Sequence, residues 1–247
     1  MAGEVTASEV TQAQYEEALR LFYRAIELDP SYATAFAWAA QCYAVRKVNG
    51  WMANSEREMA EACRLARPAI DLGHDDAVAL CLAGWTIGYI GRDLRAAATL
   101  TERALVLNPN LSIALFTSAW IKIWLGEHEQ ALKRLQQAQR LSPLDPTMFA
   151  THGGIAHAHY HAGRLEDAAA AAERGLAERP NAPVLVRIAA AIYGMAGNQE
   201  EAKSALAQLR TIYPDLRVSN LHELLGPYRA EYRARYEEGL RKAGLPE

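Results

Sequence analysis

The stretch AATLTERALVLNPNLSIALFTSAWIKIWLGEHEQALKRLQQAQRLSP, Ala97 to Pro143, carries one full copy of the pattern that decides the fold and the opening of the next. Ala97 is followed four places on by Thr101, and Ala131 by Leu135, a small residue and a larger one on the same helical face. Pro109 and Pro143 stand in the turns behind them. The alanines are 131 − 97 = 34 residues apart and the prolines 143 − 109 = 34. Working outward, the pairs Ala168/Ala172 and Ala202/Leu206 and the prolines Pro180 and Pro214 continue both series in phase, by matching steps of 37 and 34, and Ala18/Phe22 with Pro30 repeats the pattern upstream. Two independent markers sharing one period identify a repeat protein.

Each unit reads as two amphipathic helices with small residues at their crossing, where backbones approach closely. Gly91, Gly126, Gly163 and Gly197 are placed to close the first helix of a pair in a left-handed cap. Turns such as VLNPNL and ERPNAP end the second. The spacing predicts five full units after a lone second helix, Tyr15 to Leu28, so that residues 1–214 form about five and a half repeats with the first incomplete. Its missing helix would fall in MAGEVTASEV, which is not convincingly periodic, and the chain reads as a piece of something longer. Between Tyr43 and Ala62 a 10-residue excess lengthens the connection within one pair, an insert near 44–61. After Pro214 the pattern changes. Residues 215–247 read as capping helices, VSNLHELL and then a helix from Pro227 with Tyr228, Tyr232, Tyr236 and Leu240 in one stripe. The fold expected is an all-α, right-handed superhelical solenoid of helix-turn-helix repeats, since one unit cannot bury its own face.

Composition limits the function. Of 247 residues, 51% are apolar and 22% charged, a foldable mixture, and a net charge of −3 gives no basic footprint for nucleic acid. The apolar stretch Ala77 to Gly91 is too short for a membrane span. Cys42, Cys63 and Cys81 form no CxxC pair, which suits small apolar fillers in a reducing, cytoplasmic setting. No G-x-S-x-G, P-loop or G-x-G-x-x-G occurs, so no enzyme activity and no cofactor are expected. His157 and His161 share a helical face, but a site needs three or four ligands, and the expectation is no metal.

The period and the pattern resemble the tetratricopeptide repeat. Phe36, Ala39, Ala40 and Tyr43 fit one copy of its first helix and Leu80, Ala83, Gly84 and Ile87 the next, while Lys122 and His159 replace its tyrosine in later copies. More specifically, ALRLFYRAIELDPSYATAFAWAAQCY, DDAVALCLAGW, LSPLDPTMF and YEEGLRKAGLPE resemble the C-terminal region of bacterial class III adenylate cyclase-like proteins, a region that also follows winged-helix DNA-binding domains in related regulators. The resemblance implies a signalling and regulatory module, covalently linked to an upstream catalytic or DNA-binding domain, and no cyclase.

The repeat resemblance also implies which residues face the concave groove. Carried over copy by copy, one row holds Gln41, Trp85, Trp120 and His157, a second Val45, Tyr89, Trp124 and His161, and a third Phe116 and Arg187, with Tyr160 alongside. Large aromatics are the usual anchors of interfaces. The groove is therefore expected to hold Trp85, Tyr89, Phe116, Trp120, Trp124, His157, Tyr160, His161 and Arg187 partly exposed, for an apolar or helical protein or peptide partner. Internal packing of the same rings is the competing reading. A small-molecule sensor and a self-association module, as a homodimer, are the alternatives; Trp51 in the insert is a second contact candidate.

Overall fold

The computed structural model describes residues 11–247. Among them the regular structure is helical throughout, twelve α-helices and one 3-10 helix. The lone helix α1 (Gln12–Leu28) leads into five pairs: α2 (Ala33–Val48) with α3 (Ser55–Leu72), α4 (Ala77–Tyr89) with α5 (Leu94–Leu107), α6 (Ser112–Leu125) with α7 (His128–Leu141), α8 (Met148–His161) with α9 (Leu165–Glu178), and α10 (Pro183–Ala196) with α11 (Gln199–Ile212). A 3-10 helix (Val218–Glu223) and α12 (Ala230–Ala243) follow. Each helix packs on its pair mate and on the next unit, and α2, α4, α6, α8 and α10 form the inner layer. This is the all-α superhelical solenoid.

Small residues let the layers close. Ala97, Ala131, Ala168 and Ala202 are fully buried at their pair crossings. A methyl group on Gly84 or Gly88 would press against α5. The helix ends follow the expected chemistry in all but one unit. Gly126, Gly163 and Gly197 take φ values of 83°, 83° and 79°. After α4 it is Arg92, not Gly91, that adopts the left-handed conformation, at φ 62°. An arginine there carries a steric cost, and its side chain is used far away in the chain.

The insert is a correction. The connection proper is short, Asn49 to Asn54, and much of the excess is spent on helix: α2 has 16 residues and α3 18, where the later helices of the pairs have 13 or 14. Asn54 caps α3 through the Arg57 amide, and Glu58 accepts from the Ala53 amide and from Arg46. Leu21 and Leu28 on α1 are exposed. The segment MAGEVTASEV lies outside the described residues.

The C-terminal segment does more than cover the last unit. It turns back and runs along the inner layer. Gly239 on α12 crosses Gly194 on α10 so closely that a methyl group on either would overlap the other helix's backbone. The Tyr160 hydroxyl of α8 donates to the Arg235 carbonyl at 2.7 Å. Tyr232 packs edge-on against His128 of α7, ring centres 4.7 Å apart. Arg92 of the second unit donates to the carbonyls of Leu225 (2.8 Å) and His222 (3.1 Å), and the Tyr89 hydroxyl to that of Leu224 (3.0 Å). The left-handed arginine thus anchors the strap. The helix of the strap begins at Ala230, after an extended stretch through Pro227.

The two ends of the solenoid meet. The Tyr213 hydroxyl, just past α11, donates to the Val48 carbonyl at the end of α2 at 2.8 Å, with Gly50 against the same ring. The superhelix therefore closes on itself around a central space.

Candidate functional site: the strapped cavity

The inner-layer rings do form rows, because stacked units carry equivalent positions to equivalent places. Trp85 and Tyr89, one helical turn apart, have ring centres 5.1 Å apart, and Trp124 stacks on Tyr89 at 5.7 Å. Trp120 lies 6.0 Å from Trp124 and 5.0 Å from His157. His157 and His161 follow at 6.4 Å, and Phe116 flanks Trp120 at 6.5 Å.

Their exposure is a second correction. Trp85, Tyr89, Trp120, Trp124, His157, Tyr160, His161 and Arg187 are all buried, at 0–7% exposure, and Phe116 alone of the predicted set is half-buried. For Tyr89, Trp124, Tyr160 and the two histidines the strap is the reason. Gly226 lies flat on the Trp124 indole, where a side chain would overlap the ring. Tyr228, Tyr232 and Tyr236 enclose His161 at 4.9, 5.4 and 6.1 Å. The protein's own C-terminal tyrosines cover the wall, and Trp51 of the insert instead packs on Tyr15 of α1 at 6.1 Å.

Above the strap a cavity of about 850 Å³ remains. Its walls are Trp38, Gln41, Trp85, Phe116, Trp120 and Arg187, with Trp51 and Tyr15 on one side and the turn 178–184 on the other. His157 and Trp124 reach it; Tyr160 and His161 do not, since the strap holds them beneath it. Trp38, Tyr15 and the strap residues Leu224 to Gly226 are lining residues that repeat registration misses, because they come from α1, from an off-row position and from the far end of the chain.

The histidines are held neutral. His157 Nδ1 donates to the Gly153 carbonyl at 2.7 Å, leaving Nε2 to accept from the Tyr236 hydroxyl at 3.4 Å. Burial, with the Arg187 charge nearby, pushes its pKa down to about 3. Burial and the neighbouring His157 push His161 well below its usual value, and neither of its ring nitrogens has a partner in the protein. Among the described residues no three His, Cys, Asp or Glu side chains gather at ligand spacing. Burial raises the thiol pKa of Cys42 and of Cys81 to about 12, so neither is a ready thiolate. Among the described residues no helix is long and apolar enough to cross a membrane.

Known proteins place the fold. The tetratricopeptide repeat family matches residues 184–216. The chain is 27% identical over 114 residues to small glutamine-rich tetratricopeptide repeat-containing protein 2 of Mycosarcoma maydis, covering 46% of this chain and 30% of that protein. It is 22% identical over 212 residues to the transcriptional regulator HilA of Salmonella typhimurium, covering 85% of this chain and 37% of the regulator. The chain thus spans about a third of the length of these curated relatives. Among solved structures, a chain of the APC/C hetero-tetramer Cut9–Hcn1 superposes with a TM-score of 0.67 at 17% identity, over 94% of this chain and 40% of that one. PilW, a type IV pilus biogenesis factor, gives 0.59 at 21% identity over 90% and 98%, and a thermophilic repeat protein of Thermus thermophilus gives 0.57 at 17% over 92% and 99%. The chain contains a tetratricopeptide-repeat region, and its fold is that of these solenoids.

Proposed function

We propose that this chain is a regulatory protein-interaction module whose concave groove receives a helical segment. The observation that carries the reading is α12 itself: the groove accommodates a helix, through the Gly194–Gly239 crossing and the Tyr160–Arg235 hydrogen bond, because one is already seated there. Residues up to 214 serve as the scaffold and 215–247 as a tethered occupant. A partner helix that offers a small residue for Gly194 and a ring for the His157–His161 pocket competes with it, so binding and release of the strap become one equilibrium. A tethered competitor lowers the partner's apparent affinity by the fraction of chains whose groove is free.

The reading extends to context. Likeness over 85% of this chain to a transcriptional regulator supports a place beside an effector domain, as does the resemblance to the repeat regions of cyclase-like and winged-helix proteins. The partner in this reading is protein, with no nucleic acid or membrane, and the setting cytoplasmic, since three separate thiols suit a reducing compartment.

The experiment supplies the strap in trans. A labelled peptide of residues 222–247 is titrated into a chain ending at residue 221 that retains its helical far-UV spectrum. Saturable one-to-one binding, abolished by Gly239→Ala in the peptide, is the expected outcome. A folded truncated chain that ignores the peptide would refute the groove as a helix receptor.

A further inference from the structure

The cavity above the strap has an unusual polar inventory. Arg187 lines it at 5% exposure, and its Nε and one terminal nitrogen have no hydrogen-bond partner within the protein. The titratable groups that face it are the tyrosines Tyr236, Tyr213 and Tyr89, with His157 beside them, and none of these carries a negative charge at neutral pH. The two carboxylates that border the cavity are engaged elsewhere: Asp145 accepts from Thr147, and Glu178 pairs with His152 at 3.3 Å. The indole N–H groups of Trp85 and Trp120 also lack acceptors, while that of Trp124 lies under Gly226 and Tyr228 of the strap. Arg187, Trp85 and Trp120 thus bring unpaired donors to the lining of this space, and a second cation, Arg179, borders it over the Phe149 ring.

Such an arrangement is costly for a site that is only structural. A buried charge without a partner is among the most destabilising features a fold can hold. It becomes favourable when an anion meets it, because charge-assisted bonds are strong in a low dielectric. The rest of the wall is flat and aromatic, which suits an apolar or ring-bearing body. The volume of about 850 Å³ falls within the range of small-molecule sites.

We propose that the cavity is a binding site for a small amphiphilic anion, an apolar or aromatic body bearing one carboxylate, sulfonate or phosphate, with Arg187 as the counter-charge and the Trp85 and Trp120 indoles as donors and walls. This goes beyond the helix-receptor reading: it concerns the space α12 leaves over and stands or falls separately. The strap forms the floor of the site through Leu224, Leu225 and Tyr228, so an occupied cavity holds the strap in place.

The test uses two probes with the same ring framework on the whole chain, 8-anilinonaphthalene-1-sulfonate and neutral N-phenyl-1-naphthylamine. The sulfonate should bind one-to-one, quench tryptophan emission, raise the melting temperature, and bind at least about tenfold more tightly than the neutral probe, as a charge-assisted hydrogen bond gives. Arg187→Leu should remove that preference without lowering the melting temperature of the free protein; Arg140→Leu, at an exposed position, should change neither. Trp120→Phe keeps a ring and removes a donor, so it should weaken the sulfonate several-fold and leave the neutral probe alone. Equal affinity for both probes, a preference that survives Arg187→Leu, or a folded but strongly destabilised Arg187→Leu chain would overturn the proposal. Should Arg187→Leu not fold, an unchanged probe ratio in Trp120→Phe overturns it as well. Failure of the trans peptide leaves this result untouched, and the reverse holds too.

Discussion

Acid should unfold this protein earlier than its carboxylates alone would require, and the two histidines under the strap set the window. His157 and His161 are neutral in the native state because burial disfavours their charged form, with folded values of about 3 for His157 and well below 6.5 for His161. In the unfolded chain both titrate near the ordinary histidine value of about 6.5. Between these limits the unfolded state binds more protons than the native one. Stability is therefore complete above about pH 6.5 and falls as pH is lowered through the window towards about pH 3. From about pH 7 to about pH 5 a histidine held at about 3, as His157 is, costs about 2 kcal/mol, and His161 adds a cost in the same direction. His128 and His159, also depressed chiefly by burial, act in the same direction. The carboxylates Glu58 and Glu102, held down by their hydrogen bonds to Arg46 and Arg134, have lowered values and titrate below this range. That separation lets the histidine contribution be measured alone. The assay is urea unfolding followed by far-UV circular dichroism at several pH values across the window. His161→Phe isolates one proton, since the ring sits among Tyr160, Tyr228 and Tyr232 and neither nitrogen has a partner to lose. That variant should be as stable as the parent near neutrality, and its acid slope should be shallower by about 1.4 kcal/mol per pH unit. A stability that stays flat between about pH 7 and about pH 5, or an unchanged slope in His161→Phe, would refute the buried neutral pair.

Three further outcomes follow from the strap and the wall. Gly194→Ala should unseat α12, because its methyl would meet the Gly239 carbonyl, at a cost of about 1–3 kcal/mol and with faster proteolytic cleavage after residue 214; a chain cleaved at the parental rate would contradict the crossing. Arg92→Ala removes both hydrogen bonds to the strap while keeping a side chain at φ 62°, and Arg92→Gly removes them but relieves the backbone, so the alanine variant should melt below the parent and below the glycine variant; an alanine variant that melts with the parent would refute the anchoring role. Trp124→Ala, cutting a ring 2% exposed between Tyr89 and Gly226, should cost about 3–5 kcal/mol by urea unfolding; a loss below about 1 kcal/mol would return that tryptophan to the open surface where repeat registration puts it.

The sequence by itself determined whatever depends on neighbouring units. Alanines and prolines 34 residues apart specify a helix pair and its next copy, and like positions on like helices bring Tyr89 beside Trp124 and Trp120 beside His157. These are short-range consequences of period and face. The stripe Tyr228–Tyr232–Tyr236 was legible as a cap on the last unit, but not its reach back to His128 and His161. Only the tertiary structure decided that Tyr89 reaches Leu224, that Arg92 leaves the glycine pattern to hold His222 and Leu225, and that Tyr213 meets Val48. These contacts join residues 130 to 165 positions apart, and they depend on the rotation accumulated over every intervening unit. A small change in the angle per repeat leaves each pair interface intact yet carries the two ends past one another. Whether the aromatic wall is open or covered, and whether Arg187 stands on an open surface or in the wall of a strapped cavity, hangs on that sum and on no single repeat.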